Sequence, residues 1–293
     1  MSKHGTYLAI LLLTLLAACT EVIDIRSKSD YHDYLAVEAT LTNRADRPQR
    51  IILSRSISYF KDQAQPMVKG ASVQVDDVVF EELEDGVYVA PAGYCCVPDH
   101  KYQLTIDLPN GRHYTAEATM PEEGLRLDAI DYAYVGGQEM QMDSVWSVGF
   151  WGYDKEIYSM YFMTCAINGL YYPLSLSTVA GDLFFNENEV AGYPILYLQQ
   201  TAKYRKKYGD CFKFLERGDV ITMEIYTLDL GYFDFLTAQS TGATSIPLFT
   251  PQPVNLPTNI NGKNAVGYFA ICPVADASVV VDDPLRPYFS LNM

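Results

Sequence analysis

From residue 34 the chain alternates apolar and polar positions with a period of two, the repeat of strands that bury one face. Tyr34-Leu35-Ala36-Val37-Glu38-Ala39-Thr40-Leu41 opens the pattern, and Gln49 to Ile57 continues it with Ile51, Leu53 and Ile57 on one parity. Asp76-Asp77 then separates Val73-Gln74-Val75 from Val78-Val79-Phe80, and Asp85-Gly86 separates Leu83 from Val87-Tyr88-Val89. Both stretches predict tight hairpins. A third hairpin is predicted where Tyr102, Leu104, Ile106 and Leu108 alternate up to Pro109-Asn110-Gly111 and Tyr114, Ala116 and Ala118 run back. About seven short strands over residues 33–120 predict an immunoglobulin-like or prealbumin-like β-sandwich. Pro, Gly and charge at Met120-Pro121-Glu122-Glu123-Gly124 interrupt the pattern and mark a boundary.

Residues 121–293 predict a second β-rich domain, with longer strands richer in aromatics. Asp128 to Val135, Ser144 to Tyr153, Tyr158 to Ile167 and Val220 to Leu228 alternate as strands do. Two stretches predict short helices. Leu196 to Tyr208 carries Gln199, Gln200, Ala202 and a basic run, and it stops at Gly209 as helices do. Tyr232 to Gln239 has apolar residues at i, i+1, i+3 and i+4, which suits a helix lying on a sheet face. Pro247 to Asn264 reads as a long loop, Gly267 to Ile271 as a strand, and Ala277 to Val281 as a last strand. The fold class expected is therefore all-β, mainly β with one or two short helices.

Ahead of this body stands a different pattern. Lys3 and His4 precede Tyr7 to Ala18, a run apolar except for Thr14 and closed by small residues before Cys19. This is the anatomy of a secretory signal, and it is short for a transmembrane helix, which needs about 20 apolar residues. Leu16-Ala17-Ala18-Cys19 resembles the lipobox of bacterial lipoproteins. The resemblance implies cleavage between Ala18 and Cys19 and lipid attachment at Cys19, with several acyl chains giving a stable anchor. Ordinary Ala-x-Ala-type cleavage, with Cys19 an incidental thiol, is the alternative. Residues 19–32 are polar and acidic, with Glu21, Asp24 and Asp30, and read as a tether. The same acidic residues resemble the surface-export signals of Bacteroidota lipoproteins.

Composition narrows the function classes. The formal charge of −15 becomes −16 once Lys3 leaves with residues 1–18, which argues against nucleic acid as a partner because phosphate binding needs a basic stripe. It argues equally against adhesion to an anionic leaflet by charge. Beyond Cys19, the cysteines are Cys95, Cys96, Cys165, Cys211 and Cys272, an odd set that defines no disulfide framework. Their spacing offers no zinc motif, and His32, His100 and His113 are scattered, so no metal and no cofactor is expected. The chain has neither a Gly-x-Ser-x-Gly elbow nor a Gly-rich phosphate loop.

Several clusters have both a chemical and a plain reading. Asp182 with Asn186-Glu187-Asn188-Glu189 offers hard oxygen ligands but lacks the ordered spacing of a calcium loop, so a solvated loop is the expectation. Asp154, Glu156, Glu122 and Glu123 would suit a glycosidase pair only at a through-space separation that sequence does not supply. Lys203-Tyr204-Arg205-Lys206-Lys207 reads as a solvated helix end, or as a contact for lipid phosphates or an acidic partner. Trp146, Phe150, Trp151, Tyr171, Tyr172 and Tyr193 would either fill sheet faces or line a platform for a glycan or peptide.

Several short stretches in fixed order carry a family resemblance. They are Cys19 with Ile23-Asp24, Tyr34-Leu35-Ala36-Val37-Glu38, Gly70-Ala71-Ser72-Val73, Gly86-Val87-Tyr88 and Tyr114-Thr115-Ala116. The most specific are Tyr232-x-x-Phe235-Leu236 with Gln239, and Asn255-Leu256-Pro257-Thr258-Asn259-Ile260 leading to Gly267-Tyr268-Phe269. In these the chain resembles the Bacteroidota lipoprotein family called domain of unknown function 4249. That resemblance implies an outer-membrane lipoprotein, non-catalytic and held by its N-terminal lipid, associated with a TonB-dependent β-barrel transporter and binding a small ligand, peptide or glycan. It implies no catalytic residues. Two other classes stay open. One is a fimbrial or adhesive subunit cut after Arg44, before Ala45, with strand donation between copies. The other is a secreted hydrolase.

Overall fold

The computed structural model describes residues 34–56, 64–136, 144–155, 159–172, 178–181, 189–200, 206, 209, 214–243 and 256–291. Among these the chain is all-β, with sixteen strands and one helix. The first seven strands are β1 (Leu35–Thr42), β2 (Arg50–Arg55), β3 (Ser72–Val75), β4 (Val78–Glu84), β5 (Val87–Val89), β6 (Lys101–Asp107) and β7 (His113–Thr119). Next come β8 (Leu125–Tyr134), β9 (Ser144–Asp154), β10 (Met160–Ile167), β11 (Leu170–Tyr171), β12 (Thr178–Gly181), β13 (Glu189–Gln200) and β14 (Val220–Leu228). Helix α1 (Leu230–Ala243), β15 (Ala265–Cys272) and β16 (Val274–Val280) complete the chain.

The three hairpins fall where the turn residues predict them. Asp76 takes the left-handed backbone (φ 51°) between β3 and β4, and Gly111 (φ 80°) does so between β6 and β7. Between β4 and β5, Gly86 (φ 70°) is needed for space as well as conformation, since a Cβ there would lie 2.6 Å from the Leu53 carbonyl oxygen. The strands run β15-β1-β2-β5-β4-β3-β6-β7 across one eight-stranded sheet. Leu35, Val37, Ala39 and Leu41 of β1 point inward, with Val73, Val75, Leu104, Ile106, Tyr114 and Phe269 in the same core.

The strand β15 lies in this sheet, although the sequence reading assigned its residues to the second domain. It pairs parallel with β1 from Leu35↔Ala265 to Thr42↔Cys272. The close approach requires Gly267 (φ 104°), where a Cβ would stand 2.0 Å from the Val37 carbonyl oxygen. On the other side of β15, main-chain groups are met by the segment before it. Asn259 accepts from the Phe269 N–H through Oδ1 (2.9 Å) and donates through Nδ2 to the Phe269 carbonyl (2.7 Å) and to the Glu117 carbonyl on β7 (3.2 Å). Thr258 Oγ1 donates to the Gly267 carbonyl at 2.7 Å. Two reciprocal main-chain bonds join Asn261 to Thr115 on β7. Residues 258–261 thus zip β15 to β7 and seal both ends of the sheet, so no bare edge is left there to recruit another strand.

The second half builds two further sheets, β11-β10-β14-β16 with β12 also on β10, and β13-β9-β8. They share one core in which Tyr132, Trp146, Val148 and Phe150 meet Tyr161, Met163, Ile221 and Met223. The predicted strands at 128–135, 144–153, 158–167 and 220–228 are present as β8, β9, β10 and β14. The helix predicted at 196–208 is corrected at its start: residues 189–200 form β13, paired antiparallel with β9 from Glu189↔Tyr153 to Gln200↔Ser144, while Lys206 is helical and 201–205, 207 and 208 lie outside the described residues. Twelve residues of ladder outweigh helix propensities of a few tenths of a kcal/mol per residue. Within the predicted loop, residues 256–264 form no helix or strand beyond the isolated bridge at Asn261, and 247–255 lie outside the described residues. Among the described residues, no helix is long and apolar enough to cross a membrane.

Candidate functional site

The site is built around α1. Asp229 caps its N-terminus, its Oδ1 accepting from the Tyr232 N–H at 2.9 Å. The cap fixes the helix phase, and spacing then places Tyr232, Phe235, Leu236 and Gln239 on one face. Leu236 is buried in a small cluster with Met160, Leu228, Ala270 and Cys272, so α1 lies where the eight-stranded sheet meets the β10-β14 sheet. Tyr232 and Thr40 share a hydrogen bond of 2.7 Å between their hydroxyls, which ties the helix to β1.

Strand parity supplies the opposite wall. Because Val37 and Ala39 turn into the core, Glu38 and Thr40 face the helix, and the parallel register sets Tyr268 beside Glu38. Phe162 from β10 and Tyr226 and Leu228 from β14 close the far side. Together these residues line a cleft of about 250 Å³. Tyr232 and Tyr268 stack at 5.3 Å, Phe235 sits 5.7 Å from Tyr268, and Phe162 meets Tyr226 edge-on at 5.6 Å. Glu38 and Gln239 are exposed at the cleft's mouth.

Burial pushes the hydroxyls of Tyr232, Tyr226 and Tyr268 well above the ordinary phenol value, reinforced by Glu224 at Tyr226 and by Asp229 at Tyr268. All three phenols are neutral at physiological pH and act as hydrogen-bonding groups rather than as nucleophiles. Tyr226 donates to Glu224 Oε2 (2.7 Å), and Tyr268 donates to Asp229 Oδ1 (3.3 Å). Glu224 is fully buried on β14 and also receives bonds from Arg47 and from Tyr171, whose hydroxyl is pushed up to about 12 by burial and by that carboxylate. Arg47 comes from the β1–β2 connection, so this ion pair ties the two halves together beside the cleft. The arrangement can hold an apolar group against a wall of aromatic rings and offer it a carboxylate at the entrance.

The residues singled out from sequence fall elsewhere. Ala18 and Cys19 lie outside the described residues, as do Asp182, Asn186, Glu187, Asn188 and Glu156. Glu189 is exposed at the start of β13. Asp154 is buried and accepts from Tyr161, whereas Glu122 and Glu123 are exposed on the surface. Of the basic run, Lys206 is described and exposed. Trp146, Phe150, Trp151 and Tyr172 are buried, which corrects the idea of a platform built from the six aromatics. Tyr171 on β11 and Tyr193 on β13 are exposed but belong to different sheets. Cys95, Cys96, Cys165 and Cys272 carry free thiols. Among the described residues, no group of three or more His, Cys, Asp and Glu is placed to hold a metal ion.

The stretches that carry the family resemblance sort into structural roles. Gly86 makes the β4–β5 turn, and Tyr88 pins the segment before β3, its hydroxyl donating to the Val68 carbonyl (3.0 Å) and accepting from the Ala71 N–H (2.9 Å). Thr258, Asn259 and Gly267 close the sheet. Val37, Glu38, Tyr232, Phe235, Leu236, Gln239 and Tyr268 all line the cleft. These last residues stand out in the sequence, where the spacing of Tyr232 to Gln239 suits a helix packed on a sheet face. Phe162 and Tyr226 do not, because nothing in a strand's alternation tells a cleft wall from a covered face. A family model described as "Domain of unknown function (DUF4249)" matches residues 20–278, and the chain belongs to that family. No curated protein matches it.

Proposed function

We propose that this protein is a lipid-anchored, non-catalytic binding component of the outer membrane, tethered through Cys19 and working beside a TonB-dependent transporter, with the aromatic cleft under α1 as its ligand site. The observation that carries the reading is the convergence on one cleft of residues from five elements, β1, β10, β14, α1 and β15, that are far apart in sequence. A packed core needs no opening, and this one keeps rings, a carboxylate and an amide at a mouth. The lipobox-like Leu16-Ala17-Ala18-Cys19 and the polar stretch after it support the anchor and tether. Surface protease accessibility combined with a pull-down in mild detergent tests the setting. A co-purifying β-barrel is the expected result, and repeated recovery of the lipoprotein alone refutes the transporter role.

One observation favours a second reading, a fimbrial subunit. Arg44-Ala45 follows β1 directly, so cleavage there would free the strand that lies between β15 and β2 and leave a groove for a donated one. Mature protein that still begins at an acylated Cys19, with no high-mass ladder on gels, excludes it.

A further inference from the structure

We infer that the cleft under α1 selects a small organic cation, an aryl or alkyl group carrying an ammonium or guanidinium; the inference rests on the reading of this cleft as a ligand site. Size is the first argument. About 250 Å³ lies below the usual range for drug-sized ligands and suits a single ring or side chain.

Charge is the second. The described lining residues include Glu38 and no lysine, arginine or histidine. Asp229 lies behind Tyr268, accepting its hydroxyl, and Asp234 is exposed on the same helix. An anion entering here would meet the Glu38 carboxylate and the negative faces of aromatic rings, whereas a cation is attracted by both, and the Arg47 charge beside the cleft is already paired with Glu224. The hydrogen bonds sharpen the contrast. Tyr226 donates its hydroxyl proton toward Glu224, and Tyr268 donates toward Asp229, which shifts electron density from the O–H bonds onto the rings. The formal charge of −15 gathers cations around the molecule before any of them reaches the cleft.

Glu38 has the position of the discriminating group. It is exposed, it stands beside Tyr268 in the β1–β15 register, and it forms no ion pair among the described residues. A cation with its apolar end against the Tyr268 and Phe235 rings would present its charge to this carboxylate.

The test uses the full-length lipoprotein in a neutral maltoside detergent and three probes that differ mainly in charge: phenethylammonium, 2-phenylethanol and phenylacetate. Calorimetric titration is expected to rank the ammonium roughly tenfold or more above the alcohol, with phenylacetate undetected. Glu38→Gln should weaken the ammonium severalfold and leave the alcohol unchanged. Gln239→Trp, an exposed change that fills the mouth, should abolish both. Equal affinity for ammonium and alcohol, a preference for phenylacetate, or indifference to Glu38→Gln overturns the cation selectivity while leaving an apolar ligand site in place. Binding of none of the three overturns the inference outright. The transporter role is decided separately by co-purification.

Discussion

Replacing Asn259 with alanine isolates the chemistry that closes the eight-stranded sheet. The amide side chain takes the place of a neighbouring strand, satisfying both main-chain groups of the fully buried Phe269 and reaching across to Glu117. Each bond contributes about 1 kcal/mol net, and a buried N–H or carbonyl left unmet costs about 1–3 kcal/mol. Partial access of water through the vacated space lowers that penalty, so a loss of about 3 kcal/mol is the working figure. With a urea slope of about 3 kcal/mol/M, the unfolding midpoint should fall by about 1 M. Asn259→Asp separates the roles of the two ends. It keeps an acceptor for the Phe269 N–H but turns an oxygen toward the Phe269 and Glu117 carbonyls. Hydrogen exchange at the Phe269 amide should therefore speed up much more in the alanine variant than in the aspartate variant, while both variants lose stability. An alanine variant within about 0.5 kcal/mol of the parent, with an unchanged Phe269 amide, would refute the claim that this side chain closes the sheet.

Three further outcomes follow from other contacts. Gly267→Ala places a Cβ 2.0 Å from the Val37 carbonyl oxygen at a φ of 104°, and should cost more than about 3 kcal/mol or prevent soluble expression, which denaturation or yield will show. Glu224→Ala leaves two tyrosine hydroxyls without their acceptor and Arg47 with only the more distant Asp276 carboxylate at 3.8 Å, and calorimetry should find a loss of about 3 kcal/mol, the low end for a buried pair because Arg47 is 30% exposed. The hydrogen bond from Arg44 holds the Asp46 carboxyl at about 2. Its folded value lies below the unfolded one, so the contribution is present above about pH 4 and lost as pH falls toward 2. Carbon-detected NMR titration should show Asp46 near that value, and Arg44→Gln should return it to the ordinary aspartate range.

What sequence made legible was local. The hairpins at Asp76-Asp77, Asp85-Gly86 and Pro109-Asn110-Gly111 depend on residues within a few positions of one another, and α1 carries its face in its own spacing. The strand β13 was hidden because its alternation breaks twice, at the register shifts between Ala191 and Tyr193 and between Pro194 and Leu196. A period interrupted by bulges leaves composition as the guide, and composition at 196–208 points to a helix. The placement of β15 beside β1 left no local trace, since the partners in each pair are 230 positions apart, as in Leu35↔Ala265. The cleft inherits that blindness. Tyr232, Phe235 and Tyr268 carried the family resemblance, but their convergence with Glu38, Phe162 and Tyr226 exists only once those distant strands are side by side. Trp146 and Phe150 attracted attention as aromatics and proved to be core.

The parallel pairing of β1 with β15 also determines how the molecule would bear a pull. Under the proposed anchoring, drag on the body is transmitted through the tether to Leu35, the first residue of β1. That strand is bonded along its length to β15 on one side and along part of it to β2 on the other. Force applied along it loads these bonds together in shear instead of opening them one after another from an end. The point where the chain enters its fold is therefore built as a mechanical grip, suited to a protein held by its N-terminus at a moving surface.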